Sequence, residues 1–137
     1  MTERLVCDAS AVIALLTDAG PGGTWATAAL SGAALAAPTL LAFECANVLR
    51  RLERAGRLGP DQAAQAHADL LALPVEPWPY AVLGTRVWEL RTNLSSYDAS
   101  YVALAELVDA RLVTLDQRLA QAPGLRCVVI TPEGSAG

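Results

Sequence analysis

Four carboxylates in this sequence stand where a parallel α/β protein would keep its chemistry. Asp8 ends the apolar run Leu5-Val6-Cys7 and is followed by the helical pattern Ala11-Val12-Ile13-Ala14-Leu15-Leu16. Asp116 ends a second such run, Leu112-Val113-Thr114-Leu115. Open α/β sheets gather their sites outside the carboxyl ends of the strands, which is where both side chains fall. Asp98 lies in the first turn of a helix opening at Ser95, and Glu44 one turn into a helix opening at Thr39. Each acid has an innocent structural use. Asp8 can be an N-cap, welcomed by unsatisfied N–H groups and the helix dipole. Asp98 can form a capping box with Ser95. Brought to one edge, however, the four would repel one another unless cations compensated them. Oxygen donors without His or Cys suit Mg²⁺ or Mn²⁺. The chemistry that most needs such a site is hydrolysis of phosphoryl esters.

The elements that must position these acids alternate along the chain. The first strand and helix lead to Gly20-Pro21-Gly22-Gly23, which reads as a turn, and then to a short helix over Thr24–Leu30 anchored by Trp25. Ala34-Leu35-Ala36-Ala37 reads as a buried strand closed by Pro38, and Thr39 as the cap of a helix over Leu40–Ala55 that ends at Gly56. At ~100° per residue, Leu41, Cys45, Val48, Leu49 and Leu52 form one apolar arc. Glu44, Asn47 and Arg51 run along its edge, the position from which a side chain can point into a cleft. A helix from Pro60 to Leu73, a marginal strand at Val75-Glu76 and a helix from Pro79 to Arg91 follow. The helix from Ser95 to Asp109 carries Tyr97, Tyr101, Leu104 and Val108 at core spacing. After the strand that ends in Asp116 come a short helix over Gln117–Ala122 and a last strand over Leu125–Ile130. Strands and helices in this alternation mean a parallel sheet covered on both faces, in one domain over residues 1–131 with a loose tail over 132–137.

Composition removes several classes of function. The chain has 137 residues and a net charge of -4, which argues against a general nucleic-acid-coating surface but leaves room for a local basic groove. All 10 basic residues are Arg, so the P-loop clamp, Schiff-base catalysis and the lysine of a receiver-type phosphoacceptor are excluded. No Gly-x-Gly-x-x-Gly is present for a dinucleotide. Cys7, Cys45 and Cys127 are scattered among apolar neighbours and read as small core residues rather than ligands or disulfides. His67 is the single histidine, so a His-based metal site cannot be built. No apolar run reaches membrane-spanning length, and Met1-Thr2-Glu3-Arg4 leads directly into the first strand without a signal peptide. A cytoplasmic protein is expected.

Taken together, the segments resemble the PIN-domain nucleases, in particular the VapC toxins of bacterial toxin–antitoxin pairs. The matching stretches are Val6-Cys7-Asp8-Ala9-Ser10, Phe43-Glu44-Cys45-Ala46-Asn47-Val48-Leu49-Arg50-Arg51, Leu94-Ser95-Ser96-Tyr97-Asp98-Ala99-Ser100-Tyr101 continuing to Ala105, and Leu112-Val113-Thr114-Leu115-Asp116-Gln117-Arg118-Leu119. Tyr-Asp-Ala-x-Tyr and Thr-x-Asp-x-Arg-Leu are the specific ones. The resemblance implies a three-layer α/β/α fold with a five-stranded parallel sheet of order 3-2-1-4-5. It also implies an endoribonuclease dependent on Mg²⁺ or Mn²⁺, with Asp8, Asp98 and Asp116 on the metal and Glu44 beside them. By the same resemblance Ser10 and Thr114 orient the carboxylates, Asn47 extends the cleft wall, and Arg51 and Arg118 grip RNA phosphate. Many relatives carry another acid just after the position of Asp116, where this chain has Gln117, so one ion is expected. The implied partners are RNA, a VapB-like antitoxin that sends an Arg towards the acidic cleft, and a second copy in a homodimer. The alternative is a degenerate PIN-like module that binds RNA or protein without cutting, although such a module has no use for acids where phosphate must come.

Overall fold

The computed structural model describes residues 2–132. In β1 (Arg4–Cys7) the consecutive residues Leu5, Val6 and Cys7 are all buried. Successive strand residues point to opposite faces, so the sheet is covered on both sides, as its unbroken apolar run requires. β2 (Ala34–Pro38), β3 (Val75–Trp78), β4 (Arg111–Val113) and β5 (Val129–Ile130) complete it, all parallel, in the order β3-β2-β1-β4-β5. Both the layering and the strand order implied by the resemblance are found. Val6 faces Ala36 on one side and Leu112 on the other, and Cys7 faces Val113. Asp8 and Thr114, each the next residue after these partners, therefore emerge side by side where the chain switches direction across the sheet. Pro77 sits within β3, which the sheet tolerates because β3 is an edge strand.

Helices α1 (Ala9–Thr17), α2 (Pro21–Leu30), α3 (Leu40–Arg54) and α4 (Pro60–Ala72) pack among themselves, while α5 (Gly84–Glu89) packs on α6 (Ser96–Leu107), which lies on β1, β2 and β4. Leu41, Cys45 and Leu49 are the buried arc of α3. The short α7 (Gln117–Ala120) follows Asp116. Among the described residues no helix is long and apolar enough to cross a membrane. The Gln117 side chain holds Thr131 and Pro132, and residues 133–137 of the expected tail lie outside the described residues.

Local structure departs from the sequence reading at five places. Gly20-Pro21-Gly22-Gly23 is not a free turn: Gly20 is the N-cap and Pro21 the first residue of α2, with Asp18 accepting from the Gly20 N–H at 2.7 Å. Thr39 donates its backbone N–H to Trp78 at 3.0 Å, and its hydroxyl makes no capping bond. The single helix expected from Pro79 to Arg91 is a 3-10 turn (Tyr80–Val82) followed by α5, the Tyr80 ring lying against Gly84 where a Cβ would stand 2.9 Å from it. Tyr97, expected in the core, is 64% exposed. The last strand shrinks to Val129–Ile130 because side chains claim the preceding backbone. Arg86 donates to the Gly124 carbonyl at 2.8 Å, and Glu106 accepts from the Arg126 N–H at 2.8 Å.

The start of α2 crosses the end of α1 so closely that a Cβ on Gly23 would lie 1.7 Å from the Asp18 carbonyl oxygen. Gly23→Ala should therefore cost about 3 kcal/mol or more, because backbone and not a flexible side chain must move. Gly32→Ala, at φ 76° with open space around it, should cost only about 1–2 kcal/mol. Urea unfolding of the two variants checks the difference.

Candidate active site

Asp8 is a buried carboxylate held on both of its oxygens. It is the N-cap of α1, and its Oδ1 accepts from the Ala11 N–H at 3.1 Å and from the Ser10 hydroxyl at 2.7 Å. Its Oδ2 accepts a short bond from the Thr114 hydroxyl. Those hydroxyls are themselves oriented: Ser10 Oγ accepts from the Leu115 N–H at 2.9 Å, and Thr114 Oγ1 from the Asp116 N–H at 3.0 Å. Every proton in this chain of bonds points towards the Asp8 carboxylate. Burial raises the Asp8 pKa, and the Thr114, Ser10 and Ala11 donors oppose the rise. The cradle thus stabilises an anion 7% exposed at the joint between β1 and β4.

The other acids approach from separate elements. Glu44 projects from α3, and its Oε1 accepts from the hydroxyl of Tyr101, a residue of α6 that is only 2% exposed. Burial raises the Glu44 pKa, Tyr101 lowers it, and the charges of Asp98 and Asp8 raise it again. Asp98 lies in the first turn of α6, where Ser95 accepts from its N–H at 3.1 Å; the return bond of a full capping box is absent among the described residues. Its pKa is raised by burial and by Asp116, while Arg118 and Ser95 lower it. Asp116 caps α7 and is drawn to Arg118, whose backbone N–H, Nε and Nη2 reach the carboxylate at 2.9, 3.3 and 3.2 Å. Arg118 holds its pKa below the usual carboxylate range. A cleft of about 270 Å³ opens beside Asp98 and Asp116, lined also by Asn93, Ser95, Arg118 and Pro123.

Electrostatic coupling links Asp8 with Asp98 and Glu44, and Asp98 with Asp116, so the acids of four elements line one acidic region. Ser10 and Thr114 bond to its buried member. Asn47 and Arg51 are exposed further along α3 and make no side-chain hydrogen bond or ion pair with another described residue. Arg118 is exposed but engaged with Asp116. Tyr101 is the residue that sequence reasoning missed. Its helical spacing marks it as core, which it is, and nothing in spacing shows that its hydroxyl reaches Glu44, 57 residues away. A tyrosine inside an otherwise apolar stripe was the available signal, since a buried phenol requires a partner.

The donor set fits a hard divalent cation: carboxylates, with no competing soft ligand. Burial and neighbouring acids push the Cys7 and Cys45 thiols up to about 12, so neither offers a thiolate, and His67 lies on the exposed face of α4. Gln117 turns to Thr131 and Pro132. Among the described residues, though, no three acids stand close enough to grip one ion together. The carboxylate visibly committed elsewhere is Asp116.

Comparison with known proteins shows the family and the fold. The sequence profile of the PIN domain matches residues 5–125. The chain is 40% identical over 125 residues to the VapC ribonuclease Mb0985 of Mycobacterium bovis and to ribonuclease VapC9 of Mycobacterium tuberculosis, covering 91% of this chain and 95% of each relative. It is 37% identical over 128 residues to ribonuclease VapC1 of the latter organism, covering 93% and 96%. Among solved structures, PAE2754 from Pyrobaculum aerophilum superposes with a TM-score of 0.66 at 28% identity, covering 93% of this chain and 83% of that one. The sarcin-ricin loop cleaving toxin VapC20 of Mycobacterium tuberculosis shares the fold, with a TM-score of 0.67 at 20% identity and coverage of 93% and 99%. The chain belongs to the PIN-domain family, among its VapC ribonucleases.

Proposed function

We propose that this protein is the metal-dependent endoribonuclease toxin of a bacterial type II toxin–antitoxin pair, cutting RNA phosphodiester bonds in the cytoplasm. The observation that carries the reading is the buried Asp8 carboxylate at the switch point of the sheet, cradled by the Ser10 and Thr114 hydroxyls, with Glu44 and Asp98 within its electrostatic reach and Asp116 within that of Asp98. Hydrolysis at such a site draws on a bound Mg²⁺ or Mn²⁺ for charge neutralisation and for acidifying water. Asp8, Asp98 and Asp116 would hold the ion. Asp8 brings a fixed anion, because its hydrogen bonds leave it no other orientation. Glu44 keeps Oε1 on Tyr101 and has Oε2 free to take a proton from the attacking water. Ser10 and Thr114 orient Asp8 while accepting from the Leu115 and Asp116 N–H groups, Asn47 and Arg51 extend the wall along α3, and Arg118 stands where RNA phosphate would pass. The VapBC2 complex from Rickettsia felis, whose fold this chain shares, supports a VapB-type antitoxin as partner, and a homodimer is part of the same reading.

Asp8→Asn should lower RNA cleavage by roughly 10²–10³ in kcat. It should also cost about 1–2 kcal/mol of stability, since an amide N–H₂ must then face a hydroxyl that already points its proton inward. Asp98→Asn should lose cleavage similarly without that stability cost. Turnover and urea unfolding on the same samples separate the two.

The pH dependence has a definite sign. Folded Asp98 has a pKa above its ordinary 3.8, so the folded state binds the proton more tightly, and stability declines as pH rises past that value. Asp98→Asn removes this decline. In EDTA, the melting temperature of the variant minus that of the wild type should be smallest below pH 3.8 and should grow as pH rises above it. Adding Mg²⁺ at neutral pH should raise the melting temperature of the wild type and not that of Asp98→Asn.

A further inference from the structure

Arg118 is the one basic side chain paired with the acidic locus among the described residues. Its geometry is peculiar to its place in the chain. Asp116 and Arg118 are two residues apart at the start of a four-residue helix, so the carboxylate that caps α7 also receives the guanidinium of the same turn. Oδ1 takes the Arg118 N–H and Nε, and Oδ2 takes Nη2, leaving both Asp116 oxygens facing their own helix. The same guanidinium also offsets the Asp98 charge. Yet Arg118 is 90% exposed, and an ion pair so open to water is worth little. The locus therefore carries an internal positive charge that is correctly signed, bidentate and easily removed.

We propose that the Arg118 guanidinium is a displaceable counter-ion of the acidic cleft, competing with the divalent cation for Asp116 and becoming free to contact RNA phosphate only when that cation binds. The inference rests on the nuclease reading for its RNA half and is independent of it for its metal half. Two consequences follow from displacement. Removing Arg118 strengthens cation binding, because Asp116 no longer has to give up a partner. RNA binding gains a guanidinium contact when the cation is present and has none from Arg118 when it is absent, so cation and RNA favour each other. The lone positive charge on the wall of the cleft then serves both states: neutralising acids in one, gripping phosphate in the other.

The test uses Arg118→Gln, Asp116→Asn and the double variant of the full chain, with thermal melts confirming folding. Mn²⁺ binding without RNA is followed by loss of the free-ion EPR signal. Arg118→Gln should tighten Mn²⁺ by ~2- to 5-fold, the strength of one exposed pair. The same change in the Asp116→Asn background should have less than half that effect in logarithmic terms. Unchanged or weaker Mn²⁺ binding by Arg118→Gln overturns the proposal, as does equal tightening in both backgrounds. On RNA, Arg118→Gln should raise KM in saturating Mg²⁺ by roughly 3- to 10-fold with kcat little changed. Its RNA affinity in EDTA, by fluorescence anisotropy, should stay within about twofold of the wild type. An equal loss in EDTA means that Arg118 grips RNA regardless of the cation, and also overturns it. A wild type that cleaves no RNA would defeat the nuclease reading, while the Mn²⁺ comparison would still decide the competition.

Discussion

The arrangement depends on the joint between β1 and β4, closed by the Asp8 carboxylate. Parallel strands leave their last residues without ladder partners, and here the gap is filled by side chains. The Asp8 N–H still bonds to the Val113 carbonyl at 3.3 Å, but beyond that point Thr114 and Ser10 take over the pairing through Asp8 itself. Three donors on one carboxylate offset the desolvation of an ion buried at the mouth of a helix. The same bonds fix where β4 ends and aim the next residues, Leu115 and Asp116, into the cleft region. Fold and chemistry share this joint, so a substitution at Asp8 acts on both.

Around it the other acids are held with decreasing firmness. Glu44 is tethered through one oxygen by a buried tyrosine, so its position is coupled to the packing of α6. Asp98 is set by the first turn of α6, half-buried, and burial and the Asp116 charge make its carboxyl harder to ionise. Asp116 is anchored only to its own short helix and an exposed arginine. This gradient suits a site that must hold one ligand rigidly and bring others in. Preorganisation lowers the cost of binding, whereas a cluster of four fixed anions would cost stability whenever no cation was near.

Much of this was legible in the sequence, for identifiable reasons. An apolar run that ends in Asp and turns at once into a helical pattern has few folded solutions, so Asp8 could be assigned to a strand end; Asp116, read the same way, lies three residues past the end of β4 as the cap of α7. The edge position of Glu44 followed from the 3.6-residue arc of α3. What escaped were long-range matters. Tyr97 and Tyr101 share one helical stripe, yet one lies on the surface and the other in the core, because the stripe runs off the end of the sheet at the first turn of α6. Gly23 reads as part of a turn by composition, whereas the crossing of α1 and α2 leaves no room for a Cβ at that position inside a helix. The last strand was overestimated because hydropathy cannot see Arg86 and Glu106 drawing the backbone of residues 124 and 126 out of the ladder.

Anomalous diffraction from crystals of the wild type grown with saturating Mn²⁺ tests whether Asp8 and Asp98 hold one hard cation at the switch point of the sheet, as proposed. A single strong peak is expected within ~2.0–2.6 Å of Asp8 and Asp98 oxygens, with Asp116 turned off Arg118. Well-ordered crystals with no peak between these carboxylates, or with Mn²⁺ bound only elsewhere on the acidic surface, would contradict that proposal.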